Sequence, residues 1–281
     1  MAGWGTVVAA VVSDIPDGAV VVDVRWYLDG RDGEAAFEHG HIPGARWIDL
    51  DHQLSAVDRP ATEGRHPFPT PDAFADAMAS LGVGDDTWVI SYDDTGGSTA
   101  ARLVVMLRMI GHRASLLDGG LTAWVADGRP IETGSSTAPE RATFTPVPWP
   151  AERFVTSDDA GAAAASGVAV LDARAAERFT GDVALVDKRV GHIPGARNAP
   201  WAAVLADDER LLSTERLREH FAQVHADHGD VITYCGSGVS SCLNVVAMEH
   251  AGLRPPRLYV GSWSGWSADP DRPAELGPAR S

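Results

Sequence analysis

The chain is predicted to be an α/β protein made of two tandem copies of one unit, each an open parallel sheet flanked by helices. Three observations predict this. The heptapeptide GHIPGAR stands at 40–46 and again, identically, at 191–197. VVDVR ending at Arg25 is matched by VLDAR ending at Arg174, and VISYDDTG starting at Val89 by VITYCGSG starting at Val231. Within each copy, short Val/Ile runs alternate with helical stretches, the pattern of parallel strands joined by helical crossovers. Seven identical residues in order, flanked by two further matches, mark a tandem duplication.

The elements follow in order. Residues 20–24 (VVVDV) form the first apolar run and read as a buried strand. GHIPGAR reads as a turn whose Gly, Pro and His pin the next strand; because the same seven residues serve both copies, the motif is read as structural. Residues 88–92 and 115–117 are the next strands, and the stretch STAARLVVMLRMIGH at 98–112 is the clearest helix. Residues 132–150 (ETGSSTAPERATFTPVPWP) are rich in Pro, Ser and Thr and carry no apolar period, as expected of a surface linker. The expected boundaries are 1–135 for the first domain, 136–150 for the linker and 151–281 for the second. There the strands recur at 168–171, 231–234 and 258–260, with a helix starting near Ser240. In open parallel sheets ligands bind at the carboxyl ends of the strands. Cys235 stands at that end of its strand, and Asp93 at the equivalent end in the first copy.

Composition bounds the function. The 281 residues suffice for two domains with separate cores. A formal net charge of −16 gives an attractive term of the wrong sign for nucleic acid or an anionic membrane, so neither is an expected partner. An anionic substrate then needs local cations. The start, MAGWGTVVAAVVSDIP, has no basic n-region and only a short, interrupted apolar run, so neither a signal peptide nor a membrane span is expected. There are two cysteines. If the chain between them is mostly helical, seven residues at about 1.5 Å each put them roughly 10 Å apart, beyond disulfide reach. Free thiols in a reducing cytoplasm are the expectation.

VITYCGSGVSSC, 231–242, is the segment that carries chemistry. A strand ends at Cys235, a Gly/Ser loop follows, and a helix begins. Such a junction points backbone N–H groups and a positive helix end at the loop, which favours an anion and lowers a thiol pKa. On its own, a cysteine at a strand end can equally be a small buried hydrophobe, and Cys242 is read that way. A cysteine phosphatase shares the strand–loop–helix design but needs an arginine six residues after the nucleophile, where this chain has Ser241.

DxR, GHIPGA and a strand ending in a cysteine loop, present twice with the cysteine only in the second copy, resemble the tandem rhodanese-type sulfurtransferases. The resemblance covers nearly the whole chain. It implies two rhodanese-like domains, the first silent because Asp93 replaces the nucleophile. It implies a double displacement: Cys235 takes sulfur from a small anionic donor as a persulfide and passes it to cyanide, a thiol or a thioredoxin-like protein. No metal or organic cofactor is implied. The loop CGSGVSS looks like the CGSGVT loop of 3-mercaptopyruvate sulfurtransferases, whereas thiosulfate-preferring relatives more often carry basic residues there.

Residue by residue, the resemblance assigns Cys235 as nucleophile and Ser237 to proton handling. Gly236, Gly238, Val239 and Ser240 form the donor cradle, with Arg178 of the GRF-like segment on the donor's anionic end. His66, in GRHPFP, falls near the family histidine. There are two departures. The family's second substrate arginine has no clear match in VALVDKRVGHIPG, which leaves Arg189 or Lys188. The aspartate that partners the loop serine falls near Ser55, with Asp58 out of register. Trp263, after the last strand, is a candidate for the pocket mouth. A non-enzymatic persulfide carrier is the alternative function. The expected donor is 3-mercaptopyruvate, because the loop from Gly236 to Ser241 contains no Lys or Arg.

Overall fold

The computed structural model describes residues 8–136 and 139–279. Residues 1–7 of the segment read as lacking a leader, Thr137 and Ala138 of the linker, and the last two residues lie outside them. The chain divides into two compact units.

In the first unit the strands are β1 (Val11–Val12), β2 (Val20–Asp23), β3 (Arg46–Trp47), β4 (Val89–Tyr92) and β5 (Ala114–Leu117). Among the described residues they form one parallel sheet in the order β1-β5-β4-β2-β3. Its helices are α1 (Gly33–His39), α2 (Pro71–Ser80), α3 (Ala100–Met109) and α4 (Gly120–Ala126). Pro71 opens α2 behind a Thr70 cap whose hydroxyl accepts the Ala73 N–H, and α3 is buried along its whole length. The described C-terminal part of the linker is anchored by two aromatics. Phe144 is buried and stacks on His112, and the Trp149 indole donates to the Pro69 carbonyl at 2.7 Å. The low apolar content of 132–150 hid how much these two aromatics contribute.

The second unit holds α5 (Ser157–Ala165), β6 (Ala169–Asp172), α6 (Ala176–Thr180), β7 (Arg197–Asn198), α7 (Thr214–Gln223), β8 (Val231–Tyr234), α8 (Ser241–His250), β9 (Arg257–Leu258) and α9 (Ser262–Ala268). Its sheet, also parallel, runs β7-β6-β8-β9. Two-residue strands such as β1, β3 and β7 are too short to leave a periodic signal in sequence.

The heptapeptide does the same work in both units. His41 Nδ1 meets the Phe37 carbonyl at 2.9 Å with the two rings stacked, and His192 repeats this with Phe179 at 2.8 Å. The Ile42 N–H donates to the Tyr92 hydroxyl and the Ile193 N–H to that of Tyr234. The aspartates of the two DxR motifs are buried beside their arginines. Arg25 reaches on to the Gly40 carbonyl and Arg174 to that of Gly191. These hydrogen bonds lock the turn to the sheet, because leaving one of the bonded groups unpaired in the core would cost about 1–3 kcal/mol.

The units exchange segments. Residues 57–67, from the first copy, belong to the second unit, and 205–211, from the second copy, belong to the first. Residues 57–67 carry the 3-10 turn Ala61–Glu63, which packs on α9. The approach is closer than any side chain allows, since a Cβ on Gly265 would lie 2.7 Å from the Thr62 carbonyl oxygen. The effect is to bring Arg65 and His66 into the unit that contains Cys235.

Candidate active site

Cys235 follows β8 directly, and the start of α9 fixes the loop behind it. The Cys235 N–H donates to Ser262 Oγ, while the carbonyls of Cys235 and Gly236 accept the N–H groups of Trp263 and Ser264, each at 2.9 Å. The loop then turns back so that the Gly238 N–H donates to Cys235 Sγ at 3.1 Å. That turn needs glycine: Gly238 has φ 80°, and a Cβ there would meet the Val260 carbonyl at 2.6 Å. Val239 is buried, and Ser240 stands at the N-cap position of α8 without a side-chain capping hydrogen bond.

Cys235 is 1% exposed. Burial by itself would raise its pKa. The Ser241 and Ser240 hydroxyls, with the Ser241 and Ser237 backbone amides, outweigh burial and hold the thiol below its ordinary value. The Ser241 hydroxyl is buried and makes no hydrogen bond among the described residues, so it is available to solvate a thiolate.

Two polar groups flank the sulfur loop. Ser237 Oγ lies 2.8 Å from His66 Nδ1, and both residues are buried. On the other side stands a cluster of guanidinium groups. A Cβ on Gly236 would lie 3.0 Å from Arg178 Nη2 and 3.2 Å from Arg65 Nη2, so both cations lie against the backbone next to Cys235. Asp187 holds them: its Oδ2 accepts from Arg178 Nε at 3.1 Å, its Oδ1 from Arg65 Nη1 at 3.3 Å, and Arg174 approaches from below at 3.5 Å. With the Asp172–Arg174 pair, three cations face two carboxylates, leaving one net positive charge in a chain of net charge −16.

The structure brings together Cys235, Ser237, Gly236, Gly238, Val239, Ser240, Arg178 and His66. Arg189 is engaged elsewhere, its guanidinium donating to the Asp269 and Arg272 carbonyls, and Lys188 is exposed. The cation beside Arg178 is Arg65. Sequence reading missed both Arg65 and Asp187, although the pair Arg65-His66 and the run DKR at 187–189 were in view; without the segment exchange, nothing links 65 to 187. Asp58 is exposed, in the left-handed region at φ 56°. Trp263 does not line a mouth. It is fully buried, with its indole N–H on the Arg189 carbonyl at 2.9 Å. Cys242 is buried, with its Sγ 3.5 Å from the Gly238 carbonyl. Both thiols are free.

In the first unit the matching loop is filled by its own anion. The buried Asp93 carboxylate accepts the N–H groups of Thr95, Gly97, Thr99 and Ala100 and the Thr99 hydroxyl, at 2.8–2.9 Å. Opposite Arg178, just before the phenylalanine that stacks on the heptapeptide histidine, this copy has Ala36.

Residues 8–127 and 157–269 each match the rhodanese-like domain. The chain belongs to the rhodanese family. This rhodanese is 39% identical over 263 residues to a Pseudomonas aeruginosa protein named "Probable 3-mercaptopyruvate sulfurtransferase", covering 92% of each chain. It is 40% identical over 269 residues to a Mycobacterium tuberculosis protein provisionally named thiosulfate sulfurtransferase SseB, covering 94% of this chain and 93% of that one. Among solved structures it resembles the 3-mercaptopyruvate sulfotransferase SseA of Escherichia coli. There the TM-score is 0.76 and the identity 32%, over 88% of this rhodanese and 93% of that chain. Among its described residues no helix is long and apolar enough to cross a membrane.

Proposed function

We propose that this rhodanese is a sulfurtransferase that works through a persulfide on Cys235. The observation that carries the reading is the setting of the Cys235 sulfur: a buried thiol solvated by loop N–H and hydroxyl groups, with two guanidinium groups beside the adjoining backbone. Such a setting stabilises a thiolate before the reaction and a persulfide anion after it.

In the first half-reaction the thiolate attacks the donor's outer sulfur. With 3-mercaptopyruvate the S–S bond forms as the C–S bond breaks, the electron pair stays on carbon as the enolate, and a proton converts it to pyruvate. Ser237, hydrogen-bonded to His66, is the group we assign to that proton and to the developing enolate charge. With thiosulfate the pair leaves on sulfite and no proton is needed. In the second half-reaction a thiol or cyanide attacks the outer persulfide sulfur, and Cys235 leaves as thiolate. Arg178 and Arg65 hold the donor's anionic end, and Gly236, Gly238, Val239 and Ser240 shape the cradle. The first copy is catalytically silent, since Asp93 cannot carry sulfane sulfur. Two free thiols fit a reducing compartment, and the cytoplasm is the location we assign. The two relatives named above carry the names of different donors; 3-mercaptopyruvate is our assignment for this chain.

The test is a donor panel followed by intact mass and peptide mapping. Donor alone should add one sulfur, about 32 Da, to the Cys235 peptide, and an acceptor should remove it. Cys235→Ser should abolish turnover and Cys242→Ser should leave most of it. Sulfur found on Cys242 would overturn the assignment. A persulfide that forms but supports no multiple turnover with any donor and acceptor would make the protein a sulfur carrier rather than an enzyme.

A further inference from the structure

The clearest departure at the site is the way its positive charge is assembled and held down. Arg65 comes from a segment far away in sequence and lies beside Arg178 at Gly236, and both are tied to one carboxylate, Asp187. The Asp187 side chain is almost completely buried, at 2% exposure, and also faces Arg174, whose own charge is met by Asp172. The Arg65 side chain keeps 32% exposure, so one edge of the cluster remains open to an incoming anion. A buried carboxylate touching both donor-side cations cancels one unit of charge where the donor's anionic end must sit.

We propose that Asp187 is a specificity-determining residue that tunes the Arg65–Arg178 pair to accept a donor carrying one negative charge over a donor carrying two. The inference rests on the sulfurtransferase reading and adds the charge class of the substrate. A 3-mercaptopyruvate carboxylate brings one negative charge against one net positive charge. Thiosulfate brings two, and its second charge meets no matching cation. An extra unit of substrate charge about 6 Å from Asp187, on the solvent-facing side where the effective dielectric is about 40, is penalised on the order of tenfold. Asp187 itself stays out of contact with the reacting atoms and acts through the two arginines, as a positioning and charge-setting group.

The experiment measures kcat/KM for 3-mercaptopyruvate and thiosulfate, with one acceptor and one ionic strength, in wild type, Asp187→Asn and Arg65→Gln. Asp187→Asn keeps shape and removes charge, so the thiosulfate-to-mercaptopyruvate ratio should rise roughly tenfold, whatever happens to the absolute rates. Arg65→Gln removes a cation on the open edge, so the same ratio should fall roughly tenfold. Raising salt should shrink both shifts. Wild-type turnover with a ratio that moves less than twofold in either variant overturns the inference and leaves the sulfurtransferase reading standing. No turnover of either donor by wild type overturns both. Should Asp187→Asn fail to fold by circular dichroism, Arg65→Gln decides alone, and an unchanged or increased ratio there is the refuting result.

Discussion

Ser237 Oγ and His66 Nδ1 are 2.8 Å apart, although 171 residues of chain separate them. Both side chains are buried. If the pair handles the proton of the first half-reaction, Ser237→Ala and His66→Ala should each lower kcat with 3-mercaptopyruvate by roughly a hundredfold. The double variant should lose little more than the worse single variant. Thiosulfate, which needs no proton, should be affected much less. Losses that simply add would mean the two residues act independently.

The rate of Cys235 alkylation by iodoacetamide should titrate with a midpoint below the free-cysteine value of about 8.5. Ser241→Ala should move that midpoint up, because it removes a hydroxyl that offsets burial. The sign for stability follows from a folded pKa below the unfolded one. The ionised thiol adds stability that is fully present above about pH 8.5 and is lost as the pH falls through the lower folded value. A wild-type midpoint at or above that of a free thiol would remove the resting thiolate from the mechanism.

Asp93 should matter for folding and not for sulfur. Asp93→Ala strips four backbone N–H groups of their acceptor, which should destabilise the protein by about 2–5 kcal/mol. Denaturant titration measures it. Asp93→Cys should gain no second persulfide on donor treatment, because Ala36 stands where the other copy has Arg178. Two added sulfurs with doubled turnover would show a working first site.

Three histidines, His112, His192 and His220, have pKa values lowered by burial. Their unfolded forms take up protons below about pH 6.5 while the folded forms stay neutral, so stability should fall as the pH drops below that value. His112→Phe keeps the ring on Phe144, now stacked at 4.3 Å, and should flatten the fall in Tm between about pH 6.5 and 5. A slope unchanged from wild type would exclude His112 as a contributor.

Much of this was legible before any coordinates, for physical reasons. The strands that carry the site are four-residue Val/Ile-rich runs, and β8 at 231–234 was read to the residue because a buried strand of a parallel sheet is apolar on both faces. The heptapeptide announced the duplication, since in both copies its histidine stacks on and bonds the equivalent preceding phenylalanine and its second glycine, Gly44 or Gly195, takes the left-handed backbone that other residues disfavour. Cys235, Ser237 and the helix start were readable because they are contiguous. Arg65 and Asp187 were not: their roles arise only when 57–67 folds against α9, a tertiary event with no local periodicity. The engagement of Arg189 was hidden for the same reason, its guanidinium bonding two backbone carbonyls 80 and 83 residues away.

The reciprocal segment exchange has a genetic consequence. A break anywhere in 136–150, where the repeat boundary invites one, would yield a C-terminal polypeptide with Cys235 but without Arg65 and His66, and an N-terminal one without 205–211. On the proposed reading, the second copy expressed by itself should therefore not turn over sulfur. The first copy would then be shielded from deletion, because the second depends on the eleven residues it lends.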